Sequence, residues 1–174
     1  MLLTLSGLPG SGTSSVSSRL VAALGVDHVD GGTVFRSMAA ERGMSLPAFA
    51  AVAESDDSID RDLDHRLTER ARAGDVLVES RLAGWLVTRA GIEGLRIWIH
   101  CDEGERARRV GSRDGHDAPG ALVANRDREA SERLRYLRYY GIDLTDTTIY
   151  DLVLDSTDQT VDDLVAEILR VATA

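Results

Sequence analysis

The segment from residue 2 to residue 24 constrains the fold of this chain more than any other. An apolar run at residues 2–5 leads into a glycine-rich loop, and a helical pattern with one apolar face follows. The loop has the spacing of the phosphate-binding P-loop, G-x-x-x-x-G-K-[ST], at Gly7, Gly12 and Ser14. A strand, this loop and a helix in that order predict an α/β fold that binds a nucleotide phosphate.

The loop departs from the P-loop pattern at Thr13, which stands in the position of the lysine. In P-loops that lysine brings a positive charge to the β- and γ-phosphates, while backbone N–H groups hold the phosphates. All 20 basic side chains of this chain are arginines, so no lysine from another segment can replace it. We therefore predict nucleotide binding in which any compensating cation is an arginine or a metal ion.

The loop residues divide into backbone and side-chain roles. The glycines allow the backbone to approach the phosphates, and the hydroxyl of Ser14 occupies the position that binds Mg²⁺ in a P-loop. A tight turn that caps a helix without any ligand is the alternative. The predicted ATP-binding residues are Gly7, Gly10, Ser11, Gly12, Thr13, Ser14 and Ser15.

Further apolar runs predict buried strands at residues 76–78, 96–100 and 152–154, with a shorter one near residues 28–29. Their connections are long enough for crossover helices, so we expect a parallel sheet with helices on both faces. Ligands of such sheets bind beyond the carboxyl ends of the strands. Polar residues can simply mark where strands end, but beside the glycine loop they indicate a site: Asp30, Glu79, Ser80, Arg81, Asp102, Asp155 and Ser156.

Two segments between strands form predicted helical insertions, at residues 33–73 and 103–141. The first has an internal turn near residues 43–47, and its second half places apolar residues on one face. The second holds nine arginines among several acids. It is either a solvated helical surface with i,i+4 ion pairs or an arginine-rich lid that closes over phosphates.

Composition excludes several classes of protein. A length of 174 residues fits one domain covering 1–174, and a net charge of −9 argues against nucleic acids and anionic membranes as partners. No apolar run is long enough to span a bilayer, and Cys101, the only cysteine, allows no intrachain disulfide. We expect a cytoplasmic monomer that binds small nucleotides.

Five segments together resemble one family: residues 5–14, 30–36, 80–85, 128–133 and 140–143. The resemblance is to the archaeal-type cytidylate kinases, a branch of the nucleoside monophosphate kinases, and it covers nearly the whole chain. Thr13 is the departure, because the family pattern has lysine there. The segments S-R-L-A-G-W and Y-G-I-D are the most specific.

This resemblance implies a five-stranded parallel sheet in which 33–73 is the monophosphate-binding insertion and 103–141 the lid. It also implies Mg²⁺-dependent phosphoryl transfer from ATP to CMP or dCMP. The implied acceptor-binding residues are Asp30, Arg36, Arg81, Gly84, Arg128, Glu132 and Arg135. The implied catalytic arginines are Arg106, Arg109, Arg113 and Arg128.

Three functions follow from these observations. The first is an active cytidylate kinase in which arginines replace the missing lysine. The second is a catalytically silent nucleotide-binding protein, for which Thr13 is the reason. The third is a P-loop kinase for another small acceptor, such as a sugar acid.

Overall fold

The computed structural model describes residues 1–115 and 117–173, so position 116 of the predicted lid and residue 174 lie outside it. Within these ranges five parallel strands form one sheet in the order β2-β3-β1-β4-β5, as the sequence predicted. The strands are β1 (Leu2–Gly7), β2 (Asp27–Asp30), β3 (Val76–Glu79), β4 (Leu95–His100) and β5 (Leu152–Asp155).

Helices connect the strands and cover both faces of the sheet. They are α1 (Thr13–Leu24), α2 (Gly31–Glu41), α3 (Leu46–Ala53), α4 (Asp57–Arg72), α5 (Ala83–Arg89), α6 (Glu103–Asp114), α7 (Ala118–Tyr140) and α8 (Val161–Ala172).

The central strand β1 is apolar along most of its length because it is buried on both faces. On one face, Leu3 and Leu5 pack with α1 and α8. On the other, Leu2 packs with the inner sides of α4 and α5. Burying a leucine side chain of this kind contributes about 2–3 kcal/mol, so the two-sided core fixes β1 at the centre.

The order of the strands determines where along the sheet a ligand can bind. From β1 the chain moves to one side through β2 and β3, then crosses to the other side at β4 and β5. Loops that leave in opposite directions open a crevice at the carboxyl ends of the strands on either side of this switch point. The glycine loop after β1 lies at that crevice.

The two predicted insertions are helical. The first comprises α2, α3 and α4, with the internal turn at Gly43, whose φ is +64°. These helices share a small core in which the rings of Phe35 and Phe49 lie 4.8 Å apart. The second comprises α6 and the long helix α7, which pack against each other.

Cys101 is buried, with 4% of its surface exposed, as predicted for a small apolar side chain. None of the helices described here has the length and apolar character that a bilayer-spanning helix requires.

Candidate active site

The glycine loop follows β1 in a backbone conformation that its glycines make possible. Gly10 and Gly12 have φ values of +84° and +94°, which L side chains rarely adopt. A Cβ atom on Gly7 would lie 2.8 Å from the carbonyl oxygen of Ile99 on β4. Helix α1 begins at Thr13, so the loop and the positive end of the helix face the same space.

Two arginines from distant segments hold this loop by its carbonyl groups. Arg81, which follows β3, donates from Nη1 to the oxygen of Gly7 at 2.8 Å. Arg106 of α6 donates to the oxygen of Pro9 at 3.2 Å, and its guanidinium also pairs with Glu129 of α7. The two arginines therefore hold the loop from outside through its carbonyls, while the N–H group of Ser11 bonds back to the oxygen of Leu8 at 3.0 Å.

Arg109 of α6, a predicted lid arginine, lies beside the mouth of the loop. It donates to the side chain and the carbonyl of Ser156, at 3.0 and 2.6 Å, and Ser156 in turn donates to the oxygen of Ser11 at 2.8 Å. Its Nη1 atom would be 3.7 Å from a Cβ atom on Gly12. Arg113, the third predicted lid arginine, lies exposed in the last turn of α6.

A pocket of about 270 Å³ opens next to Arg109. It lies between the start of α1, helix α6 and the segment that follows β5. Polar side chains line much of it, among them Ser15, Gln159 and Thr160. Since the glycine loop forms one wall, a group attached to a loop-bound phosphate can enter this pocket.

A buried carboxylate approaches the loop from the adjacent strand. Glu79, the last residue of β3, accepts a hydrogen bond from the hydroxyl of Ser14 at 2.8 Å and contacts Nε2 of His28 at 3.1 Å. Burial alone would raise the pKa of Glu79, but His28 and the hydroxyls of Ser14, Thr13 and Ser17 hold it below its ordinary value. The hydrogen bond to Glu79 also raises the pKa of His28.

The sequence placed Glu79 in the polar cluster at the strand ends, but neither Glu79 nor His28 was predicted to bind ATP, the acceptor or a metal ion. The signal for Glu79 was its position directly after an apolar strand, where the sequence shows a polar cluster. No sequence pattern pointed to His28. Its contact with Glu79 arises because β2 pairs with β3 in the register Asp30↔Glu79. Paired hydroxyl and carboxylate oxygens beside a P-loop are the hard donors that suit Mg²⁺.

Three of the four predicted acceptor-binding arginines pair with two buried acids. Glu132 of α7 accepts from Nε of Arg81 at 3.0 Å and from Nε of Arg128 at 2.9 Å. Burial alone would raise the pKa of Glu132, but these two guanidinium groups hold it below its ordinary value. Arg135, one turn further along α7, pairs with Asp60 of α4 at 2.8 Å.

The other predicted acceptor residues have visible structural roles. Asp30 caps α2 by accepting from the backbone of Thr33 at 2.9 Å, and the exposed Arg36 donates to the Thr33 hydroxyl at 2.8 Å. Gly84 begins the first turn of α5 against an aromatic ring, where a Cβ atom would lie 2.5 Å from Cε1 of Tyr150. Asp30 and Arg36 lie at the opening of the first insertion, whereas Gly84 faces the core.

Solved structures with low sequence identity share this fold. An uncharacterized protein from Eubacterium ventriosum superposes with a TM-score of 0.75 at 16% identity, over 99% of this chain and 98% of that chain. A shikimate kinase from Aquifex aeolicus gives 0.62 at 18% identity, over 98% and 95%. A gluconokinase from Sinorhizobium meliloti gives 0.61 at 20% identity, over 98% and 93%. The fold and the glycine loop define a P-loop protein.

Closer relatives specify which one. The family described as an AAA domain matches residues 3–135. The cytidylate kinase of Pyrococcus horikoshii is 43% identical over 156 residues, which are 90% of this chain and 80% of that protein. The cytidylate kinase of Haloquadratum walsbyi is 47% identical over 153 residues, or 87% and 79%. The chain belongs to the cytidylate kinase family.

Proposed function

We propose that this protein transfers the γ-phosphoryl group of ATP to CMP or dCMP. One observation supports this more than any other: the guanidinium of Arg81 bonds to the glycine loop at Gly7 and to Glu132. A single arginine thus joins the loop that would hold ATP to the cluster that would hold the acceptor phosphate. The relatives named cytidylate kinase supply the identity of the acceptor.

The reaction requires little covalent help from the protein. The phosphate of a nucleoside monophosphate has a second pKa near ~6 and is largely a dianion at neutral pH, so its oxygen attacks without a strong general base. Catalysis then consists of positioning the two phosphates and neutralising their charge. Arg81, Arg128 and Arg135 would orient the acceptor, and Arg36 would close the outer side of its pocket.

Ser14 and Glu79 would hold Mg²⁺. Their 2.8 Å contact places a hydroxyl and a charged carboxylate at the end of the loop, which is the donor chemistry that this ion prefers. Bound Mg²⁺ neutralises charge on the β- and γ-phosphate oxygens. Without Mg²⁺, the Ser14 hydroxyl donates to one oxygen of the Glu79 carboxylate. His28 contacts the other oxygen and fixes the orientation of the carboxylate.

Arginines of the lid would replace the charge that Thr13 lacks. Arg109 already lies beside Gly12, and Arg106, Arg113 and Arg128 belong to the same pair of helices. An arginine inserted at a phosphoryl-transfer site can be worth about 10³ or more in rate. In this proposal the arginines would supply the electrostatic stabilisation that an active enzyme needs.

A coupled assay of ADP release with CMP, dCMP, UMP and AMP tests the proposal. We expect turnover with CMP and dCMP in the presence of Mg-ATP. The Arg81→Met variant should lose activity by about 10²-fold or more, since it removes a contact to both substrates' sites. Absence of turnover with all four acceptors, from a protein that melts cooperatively, would overturn the proposal.

A second function is favoured by Thr13 itself. A protein that binds ATP and CMP without transferring the phosphoryl group would retain the loop, the acceptor cluster and the lid, and would lose only the lysine. Calorimetric binding of both nucleotides with no ADP formed would establish this binding-only function. The cytoplasmic location, the monomeric state and the absence of nucleic-acid partners stay predictions.

A further inference from the structure

Arg109 is held at the glycine loop by one residue, Ser156, which directly follows β5. Both terminal nitrogens of the Arg109 guanidinium donate to Ser156, Nη1 to the hydroxyl at 3.0 Å and Nη2 to the carbonyl at 2.6 Å. The Ser156 hydroxyl donates in turn to the oxygen of Ser11 in the loop at 2.8 Å. Only 2% of Ser156 is exposed, so this bridge is part of the interior. Ser156 therefore fixes the position of the arginine relative to the loop.

The partners of Arg109 leave its positive charge available to a ligand. Within the part of the chain that the structure describes, its terminal nitrogens donate only to neutral oxygen atoms. The remaining nitrogen, Nε, donates to Glu105 at 2.7 Å, but Glu105 also accepts two hydrogen bonds from Arg108. Arg108 and Arg109 lower the pKa of Glu105 to about 2, so this carboxylate is charged at neutral pH. Two cations that share one carboxylate leave one positive charge at the mouth of the loop.

The position of Arg109 distinguishes it from the other arginines of α6 and α7. Gly12 directly precedes Thr13 in the loop. Apart from its neighbours in the chain, the one described atom within 4 Å of a Cβ position on Gly12 is Nη1 of Arg109, at 3.7 Å. Gly12, Arg109 and Ser156 also line the same cavity of about 270 Å³. A ligand in this cavity that contacts the loop at Gly12 therefore also reaches the guanidinium.

Arg106 lies against the same loop but has no nitrogen to spare. It donates from Nε to the oxygen of Cys101 at 3.1 Å and from Nη1 to the oxygen of Pro9 at 3.2 Å. Its two terminal nitrogens also pair with Glu129, and only 4% of the residue is exposed. Because a carboxylate neutralises this arginine and carbonyls occupy the rest of it, Arg106 is a buried support of the loop.

We propose that Arg109, positioned by Ser156, supplies the positive charge that a lysine at position 13 would bring to the phosphates of ATP. The inference rests on the proposed function. A charged phosphate oxygen accepts a stronger hydrogen bond from a guanidinium than a neutral oxygen does. A phosphate bound at the loop therefore takes over the terminal nitrogens of Arg109 from the oxygens of Ser156. Ser156 is a positioning residue, and Arg109 is the residue that contacts the substrate.

Three variants measure the roles of the two residues. Arg109→Met keeps an unbranched side chain but removes the charge, and we expect kcat with CMP to fall by about 10³-fold. Ser156→Ala keeps the charge but removes one hydrogen bond that fixes it, and we expect a fall of about 10-fold. Arg126→Met is the control for net charge, since it removes an exposed arginine that pairs with Glu103. It should leave kcat unchanged.

The same substitutions in the Thr13→Lys background distinguish replacement of the lysine from a structural role. With a cation in the loop the charge of Arg109 is redundant, so Arg109→Met should then lower kcat by less than about 10-fold. The loss caused by Ser156→Ala should shrink in the same way. A defect in packing does not depend on the charge at position 13 and would persist in this background.

Calorimetric binding of an unreactive ATP analogue keeps the test independent of turnover. We expect Arg109→Met to bind the analogue about 10-fold or more weakly, and Thr13→Lys to restore the affinity. If the wild-type protein forms no ADP, the proposed function fails, yet this loss and recovery of affinity still support the inference. The inference is overturned if folded Arg109→Met keeps wild-type kcat and affinity, or if its losses persist unchanged in the Thr13→Lys background.

Discussion

Thr13 is nine-tenths buried at the start of α1, where its hydroxyl is one of the groups that keep Glu79 charged. A lysine at this position would bring a cation within reach of that carboxylate and of the loop. Glu79 would therefore be a negative partner for a cation at position 13, but this chain has no cation there.

The Thr13→Lys variant distinguishes compensation by arginine from loss of chemistry. The proposed function has arginines neutralise the transferred phosphoryl group, so we expect kcat for CMP to change by less than about 10-fold. A rise of about 10³-fold or more from a near-zero baseline would instead show that the natural protein only binds. Thr13→Val is the matched control, since it removes the hydroxyl without adding a charge.

Asp64 makes stability depend on pH in a direction unusual for a carboxylate. Its pKa in the folded protein, raised to about 7 by burial, exceeds the ordinary value of 3.8. The folded protein binds this proton more tightly than the unfolded chain does. The resulting stabilisation is complete below the pKa of Asp64 in the unfolded chain and is lost as the pH rises through its pKa in the folded protein. The free energy of unfolding should therefore fall by up to about 4 kcal/mol between about pH 4 and pH 8 through this group.

Urea denaturation of the wild-type protein and of Asp64→Asn across this pH range measures the effect. The variant should lose less stability than the wild type as pH rises, because its amide does not titrate. Parallel pH profiles for the two proteins would contradict the prediction, because they would show that the pKa of Asp64 is not raised in the folded protein.

At the scale of elements, the strands were predictable and several contacts between elements were not. The runs at residues 2–5, 76–78 and 96–100 predicted β1, β3 and β4 because strands buried on both faces are apolar along their length. The glycine loop was predictable because its spacing reflects backbone requirements that few residues meet. The bounds of the short helix α5 were not, since the sequence showed only that the connection between β3 and β4 is long enough for a crossover helix.

Contacts between elements that are far apart in the sequence cannot be predicted from local sequence patterns. His28 meets Glu79 only through the register of two paired strands, and Arg135 meets Asp60 across 75 positions of sequence. The resemblance pointed to Arg135 but not to its partner. Arg106, predicted as a lid residue, also lies against the oxygen of Pro9 behind the loop, which arginine spacing on α6 does not indicate.

Helix α5 lies close to the ring of Tyr150 because residue 84 is a glycine. Since a Cβ atom there would lie 2.5 Å from the ring of Tyr150, Gly84→Ala should lower the free energy of unfolding by about 1–3 kcal/mol as the ring or α5 moves. Gly104→Ala in α6 is the control, because no atom lies within 4 Å of its Cβ position. That substitution should be neutral or stabilising in urea denaturation, since alanine favours helix. Equal losses in both variants would contradict the packing argument.

At the scale of the whole molecule, α7 lies against both the first insertion and α6. The proposed acceptor cluster of Arg81, Arg128, Glu132 and Arg135 is thus held between elements that the sequence separates widely. A ligand that bridges the two substrate sites should bind the folded state across all of these elements and stabilise the protein as one unit.

A dinucleotide in which cytidine and adenosine are joined through a polyphosphate tests this. At about 100 times its Kd, such a ligand adds about 2.7 kcal/mol to the free energy of unfolding. For a chain of this size that is a rise in Tm of about 5–10 °C. An adenosine dinucleotide serves as control and should give a smaller rise. No rise with either would contradict nucleotide binding, whatever the activity.

Arg81 has a consequence for how the two substrates influence each other. Because its guanidinium contacts the glycine loop at Gly7 and also Glu132 of the proposed acceptor site, we infer that it takes part in both binding equilibria. Thermodynamic linkage then requires reciprocity: if ATP tightens the binding of CMP by some factor, CMP tightens the binding of ATP by the same factor. Replacing this side chain, as in Arg81→Met, should therefore weaken the coupling between the two nucleotides.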